Sequence, residues 1–408
     1  MALKLATFNL YQFAAPGTFW YEEKARNSYT DADWAAKKDW IATRLAEMAA
    51  DVVGFQEVFA VDALRDLCRA AGYAHFATVD TPQISPDNPR VFTAPVVALA
   101  ARFPIQEAKA VGVDAAVKDQ LPVEESFDFS RRPIRAVVDC PPHGPLVVVV
   151  AHLKSKRPIV PPPAFSDTAD WDHKVQETLR ATSRGHAAAL LQRGAEAAAL
   201  YHALTAQIAT DPDMPIVVLG DLNDDPHSIP LEALTLSGPV HQIDGKAKAD
   251  WPRAVRPALY TYRFYDAWIL AAPKGAPRPP THFHGGEGGV LDYILVSNPL
   301  NAKNPHHIAR VGACEIFNAH LQNDGVGNHK QSDHGQVAVT LAIKDQTQPM
   351  AVAAAPARPQ ASSAERDRFL HAAGGVFASP VDFGYWESRD KYENFWAFFF
   401  DHDYGWVK

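Results

Sequence analysis

Apolar and polar positions divide the chain into short strand-like runs and a few helical ones. Leu3–Leu10 alternates weakly and is rich in strand formers, whereas Trp34, Ile41, Leu45 and Met48 recur at helical spacing. Thr30, Asp31 and Asp33 stand ahead of that helix as candidate caps, because a short polar side chain can accept from the free amides of a first turn. Asp51–Phe59 reads as a buried strand with polar Gln56 and Glu57 near its end, and Asp62–Ala71 as a short helix stopped by Gly72. Pro95–Ala101, Ile134–Asp139, Leu146–Ala151, Pro215–Gly220, Val290–Val296 and Gln336–Ile343 are further strands. The unbroken valines Val147–Val150 ask for cover on both faces. Strands outnumber helices without a regular alternation, which predicts an α/β sandwich of mixed sheets in place of a Rossmann fold or a barrel.

Proline and glycine punctuate the remainder. Lys156–Arg184, with Pro158 and Pro161–Pro163, is expected to be a long loop, and alanine-rich Gly185–Ile208 a helix despite Gly194. The main domain is expected over 1–345. A linker rich in Ala, Pro, Gln and Ser follows at 346–365, then an extension at 366–408 crowded with Phe, Tyr and Trp. So aromatic a segment is expected to dock on its own domain, a protein partner or a second copy.

With 408 residues, a large core can be buried, and 21% charged residues is the content of an ordinary globular protein. The net charge of −8 argues against a protein that coats nucleic acid but allows a local basic groove. Cys68, Cys140 and Cys314 form no CxxC pair, so a thiolate zinc site is not expected and free buried thiols are. The N-terminus reads as a strand and not a signal peptide; the expected location is cytoplasmic, or secreted if the chain is a processed form. No stretch is apolar for long enough to span a membrane.

The chemistry collects where strands end, in Asn, Glu, His, Asp-x-Asn, Asp and Asp-His. Ligand sites of α/β sheets lie at such ends. Oxygen donors without thiolates suit a hard cation such as Mg²⁺ or Mn²⁺, which serves phosphoryl chemistry by neutralising phosphate oxygens. The segments Ala6-Thr-Phe-Asn9, Val53-Gly-Phe-Gln-Glu57, Ala151-His-Leu-Lys-Ser-Lys156, Leu219-Gly-Asp-Leu-Asn223, Leu291-Asp-Tyr-Ile294 and Ser332-Asp-His334 together resemble, in order, the motif set of the DNase I-like endonuclease/exonuclease/phosphatase superfamily. The resemblance implies a DNase I-like four-layer sandwich, two packed mixed β-sheets flanked by helices. It implies Glu57 and Asn9 as metal ligands, with Asp333 a candidate second one. Asp221 would orient or deprotonate water, and Asn223 would hold that water or a phosphate oxygen. His334, oriented by Asp292, would be the acid/base or phosphate-stabilising imidazole, and His152 would contact phosphate or the leaving group.

Two departures qualify the resemblance. Val91-Phe-Thr-Ala-Pro-Val-Val offers no glutamate to pair with His152, which puts its acid role in doubt and leans away from DNase I itself. Phe55 stands where apurinic endonucleases commonly carry cysteine, which lowers that reading. Lys154 and Lys156, at alternate positions, could both face a polyanion, with a solvated basic edge as the plainer reading. Of Arg131, Arg132 and Arg135, Arg132 is singled out as a phosphate binder. His282, His284, His306, His307 and His329 match no zinc spacing and read as surface or loop residues. A nuclease cleaving DNA or RNA is therefore expected. The alternatives are a phosphatase or phosphodiesterase acting on a phospholipid, inositol phosphate or nucleotide, and a noncatalytic binding module of the same fold. The last predicts a missing catalytic residue, and none is missing.

Overall fold

Alternation within the strands decides the architecture. In β1 (Ala2–Phe13), Leu3 and Leu5 face one way while Ala6, Phe8 and Leu10 face the other, and all of them are buried. Such a strand needs a layer on each side, and the computed structural model supplies both. It describes residues 2–343 except 142–143, 162–164, 167, 253–254 and 322–328. The expected linker and aromatic extension lie outside the described residues.

The first sheet holds β1, β2 (Val52–Val58), β3 (His75–Ala77), β4 (Val96–Ala101) and the later β11 (Ala309–Phe317) and β12 (Gln336–Ile343), in the order β11-β12-β1-β2-β4-β3. The second holds β5 (Ile105–Ala110), β6 (Ile134–Asp139), β7 (Pro145–His152), β8 (Ile216–Asp221), β9 (Phe264–Asp266) and β10 (Asp292–Ser297), in the order β9-β10-β8-β7-β6-β5. The two share a plan. Each has a central parallel pair, β1/β2 and β7/β8, flanked by antiparallel strands. A parallel pair brings two carboxyl-terminal ends to one edge, where strand-end side chains converge.

Leu5, Val52, Leu99, Val148, Val150, Val217, Leu219, Ile294 and Val339 fill the seam between the sheets. Outside the first sheet lie α1 (Asp31–Met48) and α2 (Val61–Ala70), whose Trp34, Ile41, Leu45, Met48, Leu64 and Cys68 cover Phe8, Val53 and Phe55. Outside the second lie α3 (Trp171–Thr210) and α4 (Ile229–Thr235), whose Leu200, Leu204, Ile208, Leu231 and Leu234 cover Val147, Val149 and Val218. The four-layer sandwich implied by the motifs is thus the observed fold, and the four valines lie between the seam and α3. Where the seam is tightest, Gly54 is required: a Cβ there would lie 2.9 Å from Val150 Cγ2 and 3.1 Å from Leu219 Cβ.

Thr30 is the cap of α1, accepting from Asp33 N at 3.1 Å, and Gly72 ends α2 at φ +88°. One expectation fails. The segment read as loop through Arg184 is helical from Trp171, because Asp170 caps α3 by accepting from His173 N at 2.8 Å and no proline lies between 164 and 211. Gly185 is then no helix start but a close approach, since a Cβ there would lie 2.7 Å from Ile159 O. A further short helix, Ala115–Gln120, capped by Asp114, lies between β5 and β6. Cys68 and Cys140 are free, buried thiols; Cys314 is free and half-buried. No helix among the described residues is long and apolar enough to cross a membrane.

Candidate active site

The alternation that builds the seam also aims polar side chains into it at one edge. Val148 and Val150 face the seam, so His152 does too; Val217 and Leu219 carry Asp221 with them, and Ile294 and Val296 carry Asp292. Register aligns the three, with His152 opposite Asp221 and Asp221 opposite Asp292. All are essentially inaccessible to solvent. From the first sheet, Leu3 and Leu5 put Asn9 on the same seam.

Glu57 arrives differently. Strict alternation would send it outward with Val53 and Phe55. A φ of +61° at Glu57, with a register break between Phe55 and Val58, turns its carboxylate to within 3.5 Å of Asn9 Nδ2. Tyr11 and Gln12 also have positive φ, at 54° and 55°, so β1 bulges beside it. That bulge lets Tyr11 N donate to Asn9 Oδ1 at 2.9 Å and Gln12 N to Glu57 Oε2 at 2.8 Å. Left-handed backbone at non-glycine residues is disfavoured, and such strain tends to gather at functional sites.

Asp221 is the hub. Its Oδ2 accepts from Asn9 Nδ2 at 3.0 Å and lies 3.5 Å from His152 Nε2 and 3.9 Å from His334 Nε2. Its Oδ1 accepts from Asn223 N at 2.9 Å. Asn223, at φ +56°, ties back through Nδ2 to Leu153 O at 3.0 Å. His334 Nδ1 pairs with Asp292 Oδ2 at 2.9 Å. Its backbone is set by Ser332, whose Oγ accepts from His334 N and donates to Asn9 O at 2.7 Å.

The electrostatics follow the packing. Burial pushes Asp221 up to about 7; the His334 charge opposes this while Asp292 and Glu57 reinforce it. Burial disfavours imidazolium at His334, but Asp292 and Asp221 outweigh it and hold its pKa well above the ordinary range. Burial and the neighbouring Arg131 keep His152 neutral, well below that range. One seam therefore holds a charged and an uncharged imidazole within reach of the same carboxylate.

Oxygen donors crowd the first-sheet side. Asn9, Glu57 and Asp333 are hard donors, and two buried carboxylate oxygens, Asp333 Oδ1 on this side and Asp292 Oδ1 facing it from the second sheet, have no hydrogen-bond partner among the described residues. Asp221, Asp292 and His334 bring ligand atoms within 4.8 Å of one another, as do His282, Asp333 and His334. Unpartnered carboxylate oxygens beside a histidine and an amide fit a hard divalent cation.

The remaining expected residues fall less simply. Lys154 folds back, its Nζ donating to Arg157 O at 2.8 Å and Ser155 O at 3.1 Å. Lys156 reaches Asp225 Oδ2 at 2.6 Å and Asp224 Oδ1 at 3.3 Å. Arg132 is held by Asp128 at 2.9 Å, whereas its neighbour Arg131 turns toward the site, donating to Leu153 O at 3.3 Å. Both arginines line an open cavity of about 260 Å³ between β4 and the 128–132 segment.

Four residues passed over in the sequence serve this site. His282, read as a surface residue, pairs across a β-bridge with His334, their rings 5.1 Å apart. Buried Thr281 accepts from Leu291 N at 2.9 Å and Asp292 N at 3.2 Å, while its carbonyl receives Gly335 N at 2.7 Å. Glu196 of α3 accepts from Ser130 N at 2.7 Å and Lys154 N at 2.6 Å, fixing the loops that carry Arg131 and follow His152. Arg193 pairs with buried Asp224 at 2.8 Å. None lies in a motif; a buried charged residue at helical spacing in α3 was the only available signal.

No curated protein matches the chain. Among solved structures, the human Nocturnin catalytic domain with bound sulfate is 15% identical, covering 84% of this chain and 95% of that one at a TM-score of 0.49. An endonuclease/exonuclease/phosphatase from Beutenbergia cavernae is 17% identical, with 84% and 72% covered at 0.45. Truncated Caenorhabditis elegans TDP2 is 12% identical, with 84% and 98% covered at 0.45. The family model matches residues 6–334, from the segment that leads into Asn9 to His334 itself, and the chain belongs to the Endonuclease/Exonuclease/phosphatase family.

Proposed function

We propose that this chain is a nuclease that hydrolyses DNA or RNA phosphodiesters with Mg²⁺ or Mn²⁺. The observation that carries the reading is the placement of Asp221 Oδ2, 3.0 Å from Asn9 Nδ2 and within 4 Å of both His152 and His334. Glu57, Asn9 and Asp333 would hold the metal, which when bound neutralises charge on the phosphate oxygens.

This chain's own residues supply the rest. Asp221, with its pKa raised to about 7, takes the proton of the attacking water, since a base works best near the operating pH. Asn223 orients that water or a phosphate oxygen. His334, kept as imidazolium by Asp292, donates from Nε2 to phosphate as negative charge gathers there. Neutral His152 orients Asp221 and does not protonate the leaving group, in keeping with the missing glutamate partner; as the phosphorus–oxygen ester bond breaks, the departing oxygen takes its proton from solvent water. Arg131, which reaches Leu153 O next to His152, favours a polymer, because it would offer guanidinium to a phosphate flanking the scissile one.

Plasmid DNA, single-stranded DNA, RNA and bis-(p-nitrophenyl) phosphate offered in parallel with Mn²⁺ test this, with Asp221→Ala as the control. The proposal expects nucleic-acid cleavage by wild type alone. Cleavage of the small ester alone would reject the nuclease and move the substrate to a lipid, nucleotide or sugar phosphate.

A further inference from the structure

Trp34, Lys37, Ile41, Leu45 and Met48 are the buried positions of α1, so one residue of an otherwise apolar stripe is a lysine. Lys37 has no solvent exposure. A buried ammonium is costly unless it is used, and this one forms no carboxylate ion pair among the described residues. Its Nζ donates instead to His329 O at 3.0 Å and Gln331 O at 3.2 Å. It also lies over the rings of Tyr11 and Tyr29, 5.6 and 5.3 Å from their centroids. Burial pulls its pKa down to about 7, and the charges of Asp333 and Glu57 oppose that fall.

Both sets of partners lead to the metal cradle. Gln331 is two residues before Asp333, and Ser332 between them donates to Asn9 O. Tyr11 is two residues after Asn9 and donates to its Oδ1; its ring stacks on His329, centroids 5.5 Å apart and 6° from parallel. Lys37 thus touches the two segments that carry Asn9 and Asp333 while touching neither side chain. We propose that Lys37 is a positioning residue: from α1 it locks the bulge after Asn9 to the 329–331 segment and so sets the spacing of Asn9, Glu57 and Asp333 for a divalent cation. This rests on the metal reading of those three residues.

The sign of one effect separates this role from a spectator's. A positive charge beside the cradle repels a cation, so its removal alone tightens metal binding. Loss of positioning weakens it, by about 10–100-fold where outer residues orient ligands. The full chain is titrated with Mn²⁺ by calorimetry, as wild type, Lys37→Met and Lys37→Gln, and amide exchange of metal-free protein is followed over 329–335. The expected result for Lys37→Met is at least about tenfold weaker Mn²⁺ binding, faster exchange over 329–335 and unchanged exchange over β2. Lys37→Gln, which keeps a neutral donor, recovers part of both, and it serves alone if the Met variant does not fold. Equal or tighter Mn²⁺ binding with unaltered exchange overturns the proposal. If wild type itself binds no Mn²⁺, the metal reading fails, and exchange over 329–335 still decides whether Lys37 positions that segment.

Discussion

The two sheets reach the same cleft by different means. The second sheet presents His152, Asp221 and Asp292 as one register row on regular strands, a direct continuation of the valines and leucines beneath them. The first sheet presents Glu57 through irregular backbone, with positive φ at Tyr11, Gln12 and Glu57, and presents Asp333 and His334 ahead of β12 through the Ser332 anchor. On the proposed mechanism the regular side moves protons and the irregular side holds metal. The contrast fits the chemistry: neighbouring strands fix a base in one register row, whereas the ligands of a cation come from separate segments, each of which must be bent to a set geometry.

The regular side breaks most severely. Asp221→Asn removes the base while keeping its shape, and turnover is expected to fall by about 10²–10⁴-fold. Thermal stability should hold or rise, because a carboxylate that burial pushes up to about 7 is replaced by a neutral amide. Steady-state rates and a melting curve on one preparation check both; turnover within tenfold of wild type removes Asp221 from the chemistry.

The next effect tests whether the two sides must stay in register. Gly54→Ala drives a methyl toward Val150 and Leu219 and is expected to cost about 1–3 kcal/mol of stability. Activity should fall below that predicted from folded fraction alone, since the sheets separate beneath the site. Gly112→Ala, which meets nothing within 4 Å, is the control in denaturant titrations.

A smaller effect sharpens the role of α3. Glu196→Gln keeps an acceptor for only one of the Ser130 and Lys154 amides and turns an NH2 toward the other, which loses its bond at a cost of about 1–3 kcal/mol. The expected signature is a raised KM for a nucleic-acid substrate with kcat nearly unchanged, because the loops bearing Arg131 and Lys154 shift while Asp221 does not.

The smallest effect concerns the irregular side's underlay. His320 Nε2 donates to His334 O at 3.0 Å, and burial lowers its pKa from 6.5 to about 4. The unfolded chain therefore takes up this proton first. The contribution is fully present above pH 6.5 and is lost as pH falls toward 4. His320→Gln should flatten that acid limb of a stability–pH curve, and an unchanged limb assigns it elsewhere.

The same contrast explains what was legible in the sequence. His152, Asp221 and Asp292 continue seam-facing alternations, so pattern and motif point to them together. Glu57 could be named by resemblance alone, since its alternation points the wrong way until φ +61° reverses it. Arg131 and Arg132 differ by one residue, and the choice depends on the Asp128 partner that claims Arg132. His282 lies 52 residues from His334 in sequence, and the bridge that joins them leaves no local trace. The start of α3 is masked in the sequence by the prolines at 158 and 161–163, which break only their own stretch, whereas Asp170 has the composition of a cap.

The division of labour itself is tested most directly by Mn²⁺ binding to substrate-free wild type, Glu57→Gln and Asp221→Asn. The account predicts that Glu57→Gln loses binding by at least about tenfold, whereas the inactive Asp221→Asn binds within a few-fold of wild type. Wild-type affinity in Glu57→Gln, or lost binding in Asp221→Asn, would contradict it.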